Sequence, residues 1–135
     1  MMADMLHLEV VTPERQLVRE DVTEVQIPGK DGYMGILPGH AALLGILGIG
    51  TLSYTTAGGK KTLSIHGGFL EVLQDRVSVL ADLGERAEEI NVERARKALQ
   101  RAQEEMFNPA LGVDPASALA AMARAQARID AAEQK

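Results

Sequence analysis

The sequence predicts an all-β domain, either a sandwich or a barrel, followed by an antiparallel α-helical hairpin. Two observations support this architecture. Apolar and polar residues alternate with a period of two through the first two-thirds of the chain, which is typical of half-buried strands. The period changes to three and four residues after Gly84, which indicates amphipathic helices.

Short alternating segments make up the β region. They cover residues 6–11, 24–27, 52–56, 62–65 and 76–79. Turns that contain glycine, proline or aspartate separate such segments along the chain. Many short strands at regular spacing favour a sandwich or a barrel over an α/β fold.

Two helices with narrow apolar stripes are predicted after residue 84. The two stripes consist of Val92, Ala95, Leu99, Ala102 and Met106, and of Ala118, Met122, Ala125, Ile129 and Ala132. Asn91 and Asp114 are suitable N-caps, and Pro115 suits the first helical position. We therefore predict two domains, residues 1–84 and residues 85–135. Alanine buries little apolar area, so the hairpin should dock weakly and could act as a moving part.

Composition limits the function classes. The formal net charge of −5 argues against sequence-independent nucleic-acid binding. The chain has no cysteine, which excludes disulfides and thiolate metal sites. The longest apolar run, residues 41–49, is far shorter than the roughly 20 residues of a membrane helix. We expect contact with a membrane only indirectly, through a partner.

One segment combines glycine, proline and large apolar residues. Residues 32–40 contain three glycines and one proline among Tyr33, Met34, Ile36, Leu37 and His40. No regular helix tolerates that glycine and proline content. The segment is predicted to be a shaped turn on the β scaffold whose apolar side chains face the core or a partner.

No catalytic or metal-binding set is evident. The sequence GGKKT at residues 58–62 resembles part of a phosphate-binding loop, but it lacks the earlier glycine and lies between two strands. A hairpin turn is the better interpretation. The three histidines have neither the spacing nor the neighbouring carboxylates of a metal site. We therefore predict no catalytic residues and no metal.

Four arginines of the hairpin have two interpretations. Arg94 and Arg101 lie seven residues apart on the first helix, and Arg124 and Arg128 lie four apart on the second. In a closed hairpin the four could converge, and a guanidinium cluster suits phosphate oxygens. Alternatively, they are solvated side chains that form weak ion pairs with nearby carboxylates.

Several ordered motifs resemble the epsilon subunit of the F-type, proton-translocating ATP synthase. They read LEVVTP at residues 8–13, GYMGILPGHAALL at 32–44, GGFLEV at 67–72 and VSVLAD at 77–82. The resemblance covers nearly the whole chain. It implies a β-sandwich of about ten strands followed by the helical hairpin.

The resemblance also implies partners and a place in the complex. The family's sandwich binds the gamma subunit and rests on the c-ring in the central stalk. Residues 32–40 lie on the side that faces this ring, so the expected partner-interface residues are Tyr33, Met34, Ile36, Leu37, Pro38 and His40. Some family members have an acidic residue at the position of Tyr33. The expected location is the cytoplasmic face of the bacterial plasma membrane.

In this family the hairpin is regulatory. Extended towards the alpha and beta subunits, it inhibits ATP hydrolysis; folded, it leaves the rotor free and in some bacterial members binds ATP. The family's nucleotide-binding motif matches INVERA at residues 90–95, with Asn91 in place of the usual acid. The residues at matching positions are Glu85, Asn91, Arg94, Arg101, Arg124 and Arg128.

We therefore expect a non-catalytic rotor subunit that couples gamma to the c-ring and regulates hydrolysis through its hairpin. No cofactor is expected, apart from ATP as a regulatory ligand. The alternative is a free-standing ATP-sensing module, which requires the arginines to converge. A β-sandwich enzyme is a third hypothesis, with no catalytic set to support it.

Overall fold

A computed structural model describes residues 5–134, so residues 1–4 and 135 of the two predicted domains lie outside the described part. Seven strands precede two helices. The strands are β1 (Leu6–Val11), β2 (Gln16–Val22), β3 (Glu24–Gly29), β4 (Gly32–Ile36), β5 (Leu43–Thr56), β6 (Gly59–Leu73) and β7 (Arg76–Arg86). The helices are α1 (Val92–Phe107) and α2 (Pro115–Glu133), with short 3₁₀ turns at Ala87–Glu89 and Pro109–Leu111.

The strands form one sheet in the order β2-β1-β7-β6-β5-β3-β4. All neighbouring pairs are antiparallel except β1 and β7, which are parallel. The sheet wraps around a core to which every one of these seven strands contributes, and apart from Tyr54 that core is aliphatic. This confirms the predicted β-sandwich class followed by a helical hairpin.

The strand number differs from the roughly ten that the resemblance implies. β5 and β6 are 14 and 15 residues long, so each counts once although it is long enough for two ordinary strands. Gly67 and Gly68 let β6 bend without ending, with φ values of +75° and +121°. A Cβ atom at Gly68 would lie 2.0 Å from the carbonyl oxygen of Leu80 on β7, so only glycine fits there.

The hairpin forms for the predicted local reasons. The Asn91 side chain accepts a hydrogen bond from the backbone N–H of Arg94 at 3.0 Å, and Asp114 accepts one from Ser117 at 3.2 Å. These two caps begin α1 and α2. α2 packs on β5 and β6, whereas α1 packs mainly on α2. As a result, α1 buries only Ala95 and Ala102, while α2 buries six residues.

The junction between the sheet and the hairpin is tied to the β1–β2 turn. Two nitrogens of Arg15 donate to the carboxylate of Glu89 at 2.6 and 2.9 Å, and Arg86 donates to the same carboxylate at 3.3 Å. The hydrogen bond from Arg15 is the main reason that the pKa of Glu89 is lowered to about 2. The chain is therefore fastened to the sheet up to Glu89, and Ile90 then packs against Ala131 and Ala132 of α2.

Candidate functional site

The segment of residues 32–40 is a strand followed by a turn. Its first five residues form β4, which pairs with β3, and a hydrogen bond from the backbone N–H of His40 to the carbonyl of Leu37 closes the turn at 3.1 Å. Gly39 adopts a φ of +85°, and its N–H donates to the Asp75 carboxylate at 2.7 Å. The turn is thus held to the β6–β7 connection by its backbone.

Most of the predicted interface residues of this segment face outwards. Tyr33 and Leu37 are 62% and 58% exposed, and Met34, Pro38 and His40 are half-buried. Ile36 is the exception, because it is fully buried in the core. The expectation that Ile36 contacts a partner is corrected: a buried side chain supports the segment from below and offers no contact surface.

Tyr33 joins this segment to β5. Its hydroxyl oxygen accepts a hydrogen bond from the backbone N–H of Thr51 at 3.0 Å. A Cβ atom at Gly50 would lie 2.5 Å from that oxygen, so glycine makes room for the ring. Tyr33, Met34, Leu44 and neighbouring residues line an open cleft of about 500 Å³.

A row of exposed apolar side chains crosses three adjacent strands. Ile46 on β5 lies opposite Phe69 on β6, which lies opposite Leu80 on β7. These three side chains, which we call the apolar row, are 53%, 58% and 53% exposed. A contiguous apolar surface that is exposed to solvent usually marks a site of protein–protein contact. The sequence contained a signal that we did not use: residues 43–49 are apolar on both faces of the strand.

The predicted nucleotide-binding residues are only partly brought together. Glu85, Asn91, Arg94 and Arg128 line a cleft of about 480 Å³ between β7, α1 and α2. In this junction cleft, Arg128 Nε donates to Glu85 Oε1 at 2.6 Å. Glu89 lines the same cleft and was not predicted.

Two of the predicted arginines lie elsewhere. The side chain of Arg101 is 81% exposed and approaches Glu105 at 3.9 Å. Arg124 does not line the junction cleft, and its charge instead acts on His66. Of the two interpretations, convergence of all four arginines is therefore not observed, and the cleft brings together Arg94 and Arg128.

α2 docks on a polar surface of the sheet. Five buried polar residues of β5 and β6 form this surface, which we call the α2 seat: Thr51, Ser53, Thr62, Ser64 and His66. They alternate along their strands with core residues, so they lie on the face opposite the core. Thr62 Oγ1 donates to the Ala131 carbonyl of α2 at 2.7 Å, and Thr51 Oγ1 approaches the Ala127 carbonyl at 3.5 Å.

The α2 seat holds the hairpin by polar contacts rather than by a large apolar surface. Hydroxyl groups can hydrogen-bond to water when α2 leaves, so exposing them costs less free energy than exposing an apolar surface. The alanines of α2 bury little area against them. The seat was missed because alternation predicts which side chains face away from the core and does not predict what covers them.

The remaining candidates have structural roles. Residues 57–58 form the tight turn that joins β5 to β6, as predicted for the GGKKT sequence. His7 contacts Asp21, and His40 contacts the Ala41 carbonyl. Within residues 5–134, no group of three or more His, Asp or Glu side chains is placed to hold a metal ion. Over the same residues, no helix has the length and apolar content needed to span a membrane.

Comparison with protein families matches nearly the whole chain. The model described as ATP synthase, Delta/Epsilon chain, beta-sandwich domain matches residues 5–87. The model described as ATP synthase, Delta/Epsilon chain, long alpha-helix domain matches residues 88–133.

Curated relatives agree with these matches. The chain is 65% identical over 134 residues to an ATP synthase epsilon chain of Solibacter usitatus, covering 99% of this chain and all of the relative. It is 52% identical over 105 residues to an ATP synthase epsilon chain of Carboxydothermus hydrogenoformans, covering 78% of each chain.

Solved structures show the same fold. A chain of the Euglena gracilis mitochondrial ATP synthase, from an OSCP/F1/c-ring assembly, superposes with a TM-score of 0.83 at 27% identity, covering 98% of this chain and 83% of its own length. A chain of the Tetrahymena thermophila central stalk/c-ring superposes with a TM-score of 0.62 at 12% identity and shares the fold alone. The family models, the relatives and the Euglena structure agree, and the chain therefore belongs to the family of ATP synthase epsilon chains.

Proposed function

We propose that this chain is a non-catalytic central-stalk subunit of an F-type ATP synthase. It ties gamma to the c-ring so that torque passes without slip, and its hairpin regulates ATP hydrolysis. The observation that carries the regulatory part is the docking of α2 on a hydroxyl-lined seat, beside an arginine-lined cleft. Such a contact favours two states of similar free energy, which a ligand or a partner can shift.

The β domain has two surfaces suited to partners. Residues 32–40 form a strand and a turn, which the Gly39 N–H ties to the Asp75 carboxylate, and Tyr33 and Leu37 are exposed there. We assign this surface to the c-ring. The apolar row is assigned to gamma, because a contact of roughly 800 Å² per partner needs an apolar centre. The Euglena structure, an OSCP/F1/c-ring assembly, supports a place for this chain beside a c-ring. The complex would hold the chain at the cytoplasmic face of the bacterial plasma membrane.

ATP is the regulatory ligand that we propose for the junction cleft. The cleft volume of about 480 Å³ lies within the range of small-molecule sites. Arg94 and Arg128 can hold phosphate oxygens, and the Asn91 side chain can contribute a further hydrogen bond. Glu85 already accepts a hydrogen bond from Arg128, so the phosphate of ATP has to compete with this carboxylate for the guanidinium group. Arg101 and Arg124 fall outside the set that lines the cleft.

Bound ATP would favour the docked hairpin, because α1, α2 and β7 all contribute to the cleft. A ligand that binds only the docked form stabilises it by its binding free energy. The extended hairpin, which reaches towards the alpha and beta subunits, would then be less populated. Hydrolysis would be inhibited less when ATP is abundant.

The test of the rotor function is a truncation in the assembled complex. We choose a chain ending at Glu89, because the contacts of Arg15 and Arg86 with this residue close the β domain. The expected result is normal assembly with faster ATP hydrolysis. Failure to assemble would contradict the division of labour between the β domain and the hairpin.

Calorimetry with ATP tests the regulatory ligand and separates it from a free-standing sensor. Arg128→Ala should abolish the heat of binding, whereas the matched control Arg101→Ala should leave it unchanged. Heat that is lost equally in both variants, or absent from the unmodified chain, would contradict the assignment of the cleft. A chain that binds ATP but never copurifies with gamma would favour the free-standing sensor.

A further inference from the structure

His66 is the one ionisable side chain of the α2 seat within the described residues. It is 5% exposed and lies on β6, on the face covered by α2. Its Nε2 contacts Ser64 Oγ at 3.3 Å. Its Nδ1 has no hydrogen-bond partner among residues 5–134. A buried imidazole with one unpaired nitrogen is costly and warrants a functional explanation.

The charges that face His66 are mainly positive. Arg124 and Arg128 of α2 both act on the imidazole. Glu85 of β7, which lies opposite Ser64 in the sheet, accepts a hydrogen bond from Arg128 at 2.6 Å. A proton added to His66 therefore meets two guanidinium groups, and no carboxylate is among the charges that act on the imidazole.

The other neighbours of His66 do not offset this charge. Its partners in the sheet are Ile49 on β5 and Leu83 on β7, both apolar. Asp82 of β7 approaches the adjacent Gly67, where a Cβ atom would lie 2.9 Å from its Oδ2, but its carboxylate is not among the charges that act on the imidazole. Ser64 carries no charge. The docked hairpin thus accommodates a neutral imidazole and disfavours a charged one.

We propose that His66 and the α2 seat form a proton-operated latch, in which protonation of the imidazole releases α2 from the sheet. This proposal rests on the proposed role of the hairpin as a regulatory element. Release exposes His66 to water and removes the two arginines from its surroundings. Acidification would therefore shift the hairpin towards the form that can reach the alpha and beta subunits.

The direction of the effect follows from the docked and released states. Burial, followed by the charges of Arg128 and Arg124, lowers the pKa of His66 to about 4 in the docked state. In the released state we expect the ordinary value of about 6.5. The released state binds more protons, so docking is at full strength above pH of about 6.5 and weakens as the pH falls towards 4. From pH 7.5 to 5.5 the docked-to-released ratio should fall about tenfold.

Thiol labelling of the isolated full-length chain tests the latch. The chain has no cysteine, so a single Ala127→Cys substitution places a reporter in a buried position of α2 beside Thr51. Its labelling rate, corrected for thiol ionisation in an unstructured peptide, reports the released fraction even when that fraction is small. We expect the docked-to-released ratio to fall about tenfold between pH 7.5 and 5.5.

Two substitutions assign the effect. His66→Gln should remove the pH dependence and preserve docking at pH 7.5. His7→Gln is the control: it changes a histidine that pairs with Asp21 on β2, and the pH dependence of docking should persist in this variant. A flat response in the unmodified chain, or a dependence that survives His66→Gln, would overturn the latch.

A measurement without substitution guards against misfolding of the variant. The imidazole proton resonances of His66 should not titrate between pH 7.5 and 5.5 while the hairpin is docked. Titration of the docked form near pH 6.5 would overturn the proposal. Failure of the latch is distinguishable from failure of the rotor function, since the truncation experiment tests the latter at a single pH.

Discussion

The hydrogen bond between Thr62 and α2 should contribute much of the docking free energy. Thr62 is 4% exposed, and its Oγ1 donates to the Ala131 carbonyl at 2.7 Å. Ala131 lies in the last turn of α2, where carbonyls commonly take a partner from outside the helix. Thr62→Val keeps the shape of the side chain and removes the donor to this carbonyl.

The expected loss follows from the burial of that carbonyl. An unsatisfied buried acceptor costs about 1–3 kcal/mol. The docked-to-released ratio should therefore fall by about 5- to 150-fold, at 1.4 kcal/mol for each factor of ten. In the labelling assay, the rate at Ala127→Cys should rise by the same factor at pH 7.5.

Thr51→Val is the matched control. Thr51 belongs to the same seat, but its Oγ1 is 3.5 Å from the Ala127 carbonyl, which is long for a hydrogen bond. That carbonyl lies within α2 and already accepts a hydrogen bond from the helix backbone. We expect less than about 0.5 kcal/mol from this change. Equal effects of the two substitutions, or no effect of Thr62→Val, would refute the role of hydrogen bonding in docking.

Three further predictions concern the junction, the bend and the apolar row. Glu89→Gln should lower the free energy of unfolding by about 1 kcal/mol at pH 7, because an accessible ion pair contributes no more. The difference from the unmodified chain should shrink as the pH falls from 4.5 to 2, the interval over which Glu89 becomes protonated, and urea titrations can measure it. Gly68→Ala should destabilise the chain by more than about 3 kcal/mol in the same assay, because the added Cβ atom would meet the Leu80 carbonyl. Gly58→Ala is the control and should cost less than about 1 kcal/mol, because the nearest atom to its Cβ would lie at 3.6 Å. Similar losses in the two variants would contradict the close approach at Gly68. Phe69→Gln should weaken binding to gamma at least about tenfold in a pull-down titration without changing the unfolding curve. Leu119→Gln, a change at a similarly exposed residue of α2, should leave binding to gamma unchanged.

The predicted parts of the fold are those set by local chemistry. Asn91 and Asp114 cap the two helices as expected, because a cap depends on residues within one turn. The alternation of the strands also identified which side chains form the core. The length of β5 and β6 was not predictable in the same way. A glycine inside a strand looks like a turn signal unless the neighbouring strand is known.

The candidate site was predicted less completely, because spacing along a helix does not determine convergence in space. Arg94 and Arg101 share a helix face but are separated by about 10 Å along the axis, so one cleft does not include both. Arg124 and Arg128 are one turn apart, and only Arg128 reaches the cleft. The α2 seat and the apolar row depend on contacts with other elements or chains, which alternation alone does not specify.

The central claim is that the docked hairpin permits ATP hydrolysis and the released hairpin inhibits it. A disulfide formed after Thr62→Cys and Ala131→Cys would hold α2 on its seat within the assembled complex, because the Thr62 side chain lies within hydrogen-bond distance of the Ala131 backbone in the docked state. Measuring ATP hydrolysis before and after reduction then tests the claim most directly. We predict full hydrolysis, insensitive to pH, in the locked complex and restored inhibition after reduction. Inhibition that persists in the locked complex would contradict the account.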